Sequence, residues 1–210
     1  MSKVVIQGNA SGTGNFTIAA PNSNTDRTFN LPDAAGTVLT TGNQSDFPAG
    51  SVLQVVNTNT SSSSSVNSNT WVDYLSSSIT PSSTSSKILI LHTVSYGGEY
   101  NGYGAGRCAR SIGGGSATAL RIGSPINTET YFTDHSFGMH TNNANDTYKM
   151  WQTSFNYLDS PSTTSEVTYT FSIKSDSGNR VLHVNVSNSN PGTGANAPPN
   201  TSVMLLEIAG

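Results

Sequence analysis

Any chemistry in this chain of 210 residues would have to come from a few side chains. "SYGGEYNGYGAGR" (95–107) sets Tyr96, Tyr100 and Tyr103 among glycines, with Glu99 and Arg107 nearby. Aromatic faces beside carboxylate, amide and guanidinium groups grip sugars or polar cell surfaces. The rings stack and the polar groups give direction. Glycine lets such a backbone approach a partner closely. The same composition also fits a plain loop or packing between subunits, with Tyr96 in the core. "SPINTETYFTDHSFGMHTNNAND" (124–146) is a second long polar stretch, carrying Tyr131, Phe132, Phe137 and His140. Long loops in compact domains tend to be functional or disordered. The binding residues named by this reading are Tyr100, Tyr103, Arg107, Tyr131 and His140.

Other chemistries find less support. Asp134, His135 and His140 are metal-ligand types, but their spacing matches no local metal signature, so no metal is expected. The single cysteine, Cys108, excludes an intrachain disulfide and lacks a His-plus-carboxylate context. It reads as a buried structural thiol. Glycoside hydrolysis needs two carboxyl groups across a cleft. Glu99, Glu129, Asp134 and Asp146 are available, but nothing in the sequence pairs them. "GYGAG" (102–106) and "GGG" (113–115) lack the strand, helix and Lys-Ser/Thr of a phosphate loop and read as surface loops. His92, on an apolar strand, reads as a satisfied core histidine. The expectation is no enzyme and no cofactor.

The elements that would position these residues are β-strands throughout. "EVTYTFSI" (166–173) alternates cleanly, with Val167, Tyr169, Phe171 and Ile173 on one face. "KILILHTVSY" (87–96) is apolar on both faces and predicts a central strand covered on both sides. "SVLQVV" (51–56), "TWVDYL" (70–75), "MWQTSFNYL" (150–158), "VLHVNV" (181–186) and "SVMLLEI" (202–208) complete the set. Between them lie turn-rich runs: "SSSSS" (61–65), "TPSSTSS" (80–86), "GGEYNGYGAG" (97–106), "IGGGS" (112–116), "SDSGN" (175–179) and "SNPGTGANAPPN" (189–200). Short strands with this punctuation predict an all-β chain whose body is an antiparallel β-sandwich, jelly-roll-like.

Composition narrows the partners. Charged residues are 10%, well under the usual quarter, while Ser, Thr and Asn supply about two residues in five. The net charge is −3 and the nine basic residues are scattered, so no nucleic-acid partner is expected. No apolar run reaches membrane-span length and no signal-peptide core is visible, so a soluble chain made in the cytosol, without membrane insertion, is expected.

A boundary falls near "TTGNQSDFPAG" (40–50), separating residues 1–48 from residues 49–210. The first part reads as short strands at 3–6, 16–18, 27–31 and 37–39, with a Pro-Asp-Ala-Ala-Gly turn in a β-hairpin module. Its apolar set is Phe16, Ile18, Phe29, Leu31, Val38 and Leu39, too few to form a core alone. The module therefore needs a partner surface: the main domain, another copy or a larger assembly.

"GTGNFTIAAPNSNTDRTFNLPDAAGTVLTTGN" (12–43) resembles a module repeated in bacteriophage tail-fibre and related virion proteins. "AGSVLQVVNTNT" (49–60), "SITPSSTSSKILI" (78–90), "LDSPSTTSEVTYTFSIKSDSGN" (158–179) and "LLEIAG" (205–210) resemble successive elements of a phage fibre's C-terminal domain. Residues 97–150 depart from the pattern: "GRCARSIGGGSATALRIGSP" (106–125) stands where the family often has an arginine-rich strand ending in Asp-Gly. The resemblance implies a virion protein of a tailed phage, assembled in the host cytoplasm. It implies a short homotrimeric tail fibre. Its N-terminal module, through Phe16, Ile18, Phe29, Leu31, Val38 and Leu39, would attach to other virion proteins. Its C-terminal β-sandwich knob would contact a host glycan or protein. A capsid decoration or head-fibre protein, and a surface-glycan depolymerase, are the alternatives.

Overall fold

Alternation in the sequence becomes alternation of burial. The computed structural model describes residues 8, 10–15, 17–19, 22–28, 30, 33, 35–36, 47–98, 102–120, 134–141, 149–175, 180–187 and 199–210. Eleven strands and no helix occur among them. They are β1 (Val52–Thr60), β2 (Ser64–Val66), β3 (Val72–Ile79), β4 (Lys87–Gly98), β5 (Gly102–Ile112) and β6 (Thr118–Leu120). The rest are β7 (Phe137–Thr141), β8 (Trp151–Asp159), β9 (Val167–Ser175), β10 (Leu182–Val184) and β11 (Thr201–Ile208).

The strands form two antiparallel sheets. One runs β1-β11-β4, with β8 on the far edge of β4; the other runs β3-β9-β5, with β7 and β6 sharing the far edge of β5. The main pairs are nested: β1 with β11, β3 with β9, β4 with β8, β5 with β7. That nesting is one long antiparallel ribbon folded over on itself, the jelly-roll arrangement of two sheets. β10 continues the line of β11 along β4, pairing with Tyr96–Gly98, and β2 flanks β10.

The core lies between the sheets. His92 of β4 stacks on Phe171 of β9 with centroids 4.0 Å apart, and Phe155 of β8 meets Phe171 edge-on at 6.3 Å. Val167, Tyr169, Phe171 and Ile173 are fully buried, as their alternation predicts. Asn185 stands at a φ of 60° and ties four segments together. Its amide donates to the Thr60 and Ser62 carbonyls and accepts from the Thr201 hydroxyl, while its backbone N–H donates to the Ser95 carbonyl.

Several sequence expectations change. β4 is central in its sheet, but only its Ile88, Ile90, His92 and Val94 face is covered; Leu91 on the other face is 38% exposed. The glycines expected in a surface loop are strand residues: Gly97 and Gly98 end β4, and Gly102–Gly106 open β5. Close packing is the reason. A Cβ on Gly104 would lie 1.9 Å from Leu182 Cδ1, and one on Gly106 would lie 1.9 Å from Phe137 Cε2. "SSSSS" contributes to β2, and "TDHSFGMH" runs into β7 with Phe137 and Met139 buried.

The chain divides into two units, Met1–Gly36 and Thr37–Gly210. In the first, Thr17, Ile18, Arg27, Thr28 and Asn30 lie outside any strand, and Ile18 is 75% exposed. The expected strands at 3–6 and 37–39, with Phe16, Phe29, Leu31, Val38 and Leu39, fall outside the described residues.

Candidate functional site

Residues 49–60, 78–90 and 205–210, three of the segments that carry the resemblance, meet inside the sandwich. Glu207 of "LLEIAG" is buried, and its carboxylate accepts four hydrogen bonds. Ser82 donates its backbone N–H and its hydroxyl at 2.6 Å each, Ser86 its hydroxyl at 2.7 Å and Gln54 its amide at 2.7 Å. Burial pushes the Glu207 pKa up, but the hydrogen bonds from Ser82, Ser86 and Gln54 outweigh it and hold the carboxyl below its ordinary value. The serines of "SITPSSTSSKILI" thus clamp the last strand to the β3–β4 turn. Asp159 of "LDSPSTTSEVTYTFSI" plays a similar part. It accepts the Tyr169 hydroxyl at 2.7 Å and pairs with Arg110 at 2.7 Å. Both buried carboxylates are engaged by internal donors.

The core titratable groups are likewise internal. His92 donates from Nδ1 to the Ser202 carbonyl and accepts the Tyr74 hydroxyl at Nε2, both at 2.8 Å. Burial lowers its pKa to about 4, so it is neutral at pH 7. Cys108 is fully buried, and burial pushes its thiol pKa well up, with Asp159 adding to the shift. Both residues occupy the structural roles expected of them.

The sequence-named binding residues separate. Tyr100 and Tyr131 lie outside the described residues. Tyr103 and Arg107 sit in β5 rather than in a loop, and Tyr103 is the ladder partner of His140 in β7. His140 is exposed.

Arg107 belongs instead to a cluster on the outer face of the β3-β9-β5 sheet. Asp73, Ser172 and Arg107 form one row across the three strands. The Ser172 hydroxyl donates to Asp73 Oδ1 at 2.6 Å, and an Arg107 terminal nitrogen donates weakly to Ser172 at 3.5 Å. Trp71, just before β3, meets both cations: the guanidinium carbon lies 4.6 Å and the Lys174 Nζ 4.7 Å from its ring centroid. Arg107 Nε is buried with no hydrogen-bond partner among the described residues. Burial lowers the Lys174 pKa, with Arg107 acting the same way and Asp134 opposing. The sequence reading missed Trp71, Asp73, Ser172 and Lys174. Alternation alone puts Trp71 with Asp73, and Ser172 with Lys174, on shared faces; only the strand register brings the pairs together.

The outer face of the other sheet carries an apolar band, flanked by exposed Asn57 and Asn156, with Thr93 and Ser154 beyond it. Val55, Leu206, Leu89 and Leu158 stand in one row across β1, β11, β4 and β8, and Met204 and Leu91 sit side by side in the next outward row. Val52, Val55 and Leu158 are about half exposed, at 51%, 53% and 50%. Such a contiguous patch is a mark of an interaction surface.

No family model matches the chain, and no curated protein matches it. Similar solved structures come from infectious bursal disease virus. The Gx strain structure is 12% identical, with a TM-score of 0.36, over 75% of this chain and 36% of that one. The VP2 subviral particle is 11% identical, with a TM-score of 0.32, over 75% of this chain and 37% of that one. The Gt strain structure is 11% identical, with a TM-score of 0.32, over 74% of this chain and 38% of that one. The chain spans little more than a third of the length of these matches.

Proposed function

We propose that the chain is a structural virion protein of a tailed phage, a short trimeric fibre. It attaches through its N-terminal part and contacts the host through its β-sandwich. The observation that carries the reading is the open apolar face formed by Val52, Val55, Leu91, Leu158 and Met204. An assembly of copies removes it from water. The other sheet then faces outward, with the Trp71–Arg107 cluster on it. Several such faces on one particle turn weak contacts into firm adhesion.

Adsorption competition tests the host contact. Saturating purified chain should slow adsorption of the phage to its host; unchanged adsorption overturns that role. Label on the head lattice of intact particles would favour the decoration-protein alternative. Release of reducing sugar from host envelope would revive the depolymerase alternative.

A further inference from the structure

We propose that the Trp71–Arg107–Lys174 cluster is a subsite for an acidic sugar, with the sugar ring against Trp71 and its anionic oxygen on Arg107. The inference rests on the reading of the chain as a host-contacting knob and gives that contact a chemistry. Three features of the cluster carry it.

The first is the unmet donor. Among the described residues, Arg107 Nε is buried without an acceptor and the guanidinium's only hydrogen bond is the 3.5 Å contact to Ser172. Buried N–H groups are rarely left so, and a guanidinium presents its nitrogens as a fork that fits a carboxylate, sulfate or phosphate. The second is the second cation. Lys174 stands beside the same indole, so an anionic oxygen arriving at Arg107 meets two positive groups. Among the described residues the acids nearby are Asp73, bonded to Ser172, and Asp134, which acts on Lys174; neither pairs with Arg107. The third is the platform. Trp71 gives a partly exposed ring for a pyranose to stack on, and the exposed Asp73 carboxylate can accept sugar hydroxyls.

Access to the guanidinium needs the indole to move. Trp71 meets Arg107 and Lys174 through its ring, so rotation about its own side-chain bonds would uncover Arg107. Binding would exchange an indole contact for an anionic oxygen at Nε. A neutral sugar could stack but would leave Nε unmet.

The test titrates the purified chain, carrying Trp151→Phe so that Trp71 is its only indole, with a uronate trisaccharide, a sulfated disaccharide, a sugar phosphate and a neutral trisaccharide. Indole emission is the readout. The acidic sugars should shift the emission and bind at least about tenfold more tightly than the neutral one. The three acidic probes separate carboxylate, sulfate and phosphate. Arg107→Gln should erase that preference, and Arg107→Lys should restore part of it, with the unfolding temperature unchanged in both. Equal binding of acidic and neutral sugars, no emission shift with any probe, or a preference that survives Arg107→Gln would overturn the proposal. Adsorption competition separates this proposal from the host-contact reading. If a Trp71→Leu chain competes as well as the unaltered one, the subsite fails and the host contact stands. If acidic sugars bind but the unaltered chain does not compete, the subsite stands and the host contact fails.

Discussion

At the residue scale, two buried titratable groups set how the fold responds to acid. The folded pKa of His92 is about 4, against about 6.5 for a free histidine. The unfolded chain therefore binds the proton first. The stability tied to neutral His92 is complete above about pH 6.5 and lost as pH falls towards 4, a change of about 3 kcal/mol. Glu207 has a lowered folded pKa, so its contribution is present above the unfolded carboxylate pKa of about 4.3 and lost as pH falls through the folded value. Denaturant unfolding from pH 7.5 to 3 should show both losses in turn. Glu207→Gln should weaken the fold by about 2 kcal/mol at pH 7, because it sets an amide N–H₂ against the Ser82 and Ser86 donors. It should flatten the lower-pH loss while leaving the slope between pH 6.5 and 4. A variant as stable as the parent at pH 7 would contradict the carboxylate clamp. His92 was legible in the sequence because it interrupts an apolar alternation. Glu207 was not, because its partners lie on segments 121 to 153 residues away.

At the element scale, strands with apolar side chains could be read and a strand built on glycine could not. β9 declares itself through the alternation of Val167, Tyr169, Phe171 and Ile173, and β8 by the same pattern, while β4 and β11 show as runs apolar on both faces. β5 is hidden because Gly104, Gly106 and Ala105 carry no apolar bulk, and glycine ordinarily signals a turn. The missing side chains are supplied from across the packing: Leu182 fills the space over Gly104 and Phe137 the space over Gly106. Gly104→Ala should therefore cost about 2–3 kcal/mol by overpacking against Leu182 and the Lys174 carbonyl. A Cβ added at Gly138 in β7 would meet nothing within 4 Å, so Gly138→Ala should change stability by less than about 0.5 kcal/mol. Equal costs at the two positions, measured by thermal unfolding, would contradict this packing. The candidate site divides the same way. Arg107 was named from its neighbours in sequence, whereas Trp71, Asp73 and Lys174 needed the β3-β9-β5 register.

At the scale of the whole molecule, the two sheet faces differ in kind. One outer face is aromatic and charged around Trp71, and the other carries an apolar row from Val55 to Leu158. The sequence showed the second face as the two-sided apolar character of "KILIL", which implies a covering layer but not its source. Leu91→Glu with Leu158→Glu should leave the β-sandwich folded, since both side chains are already exposed, while the unfolding temperature falls by what association contributes. The pair should abolish trimers in sedimentation, where the unaltered chain should run as a trimer. A trimer that survives the double substitution would remove this face from the interface. The claim that binds these scales is that the chain is a fibre of a virion. Imaging of intact phage particles labelled with an antibody against the β-sandwich tests it most directly. Label at the distal ends of tail fibres is the predicted result, and particles that carry no label anywhere would contradict it.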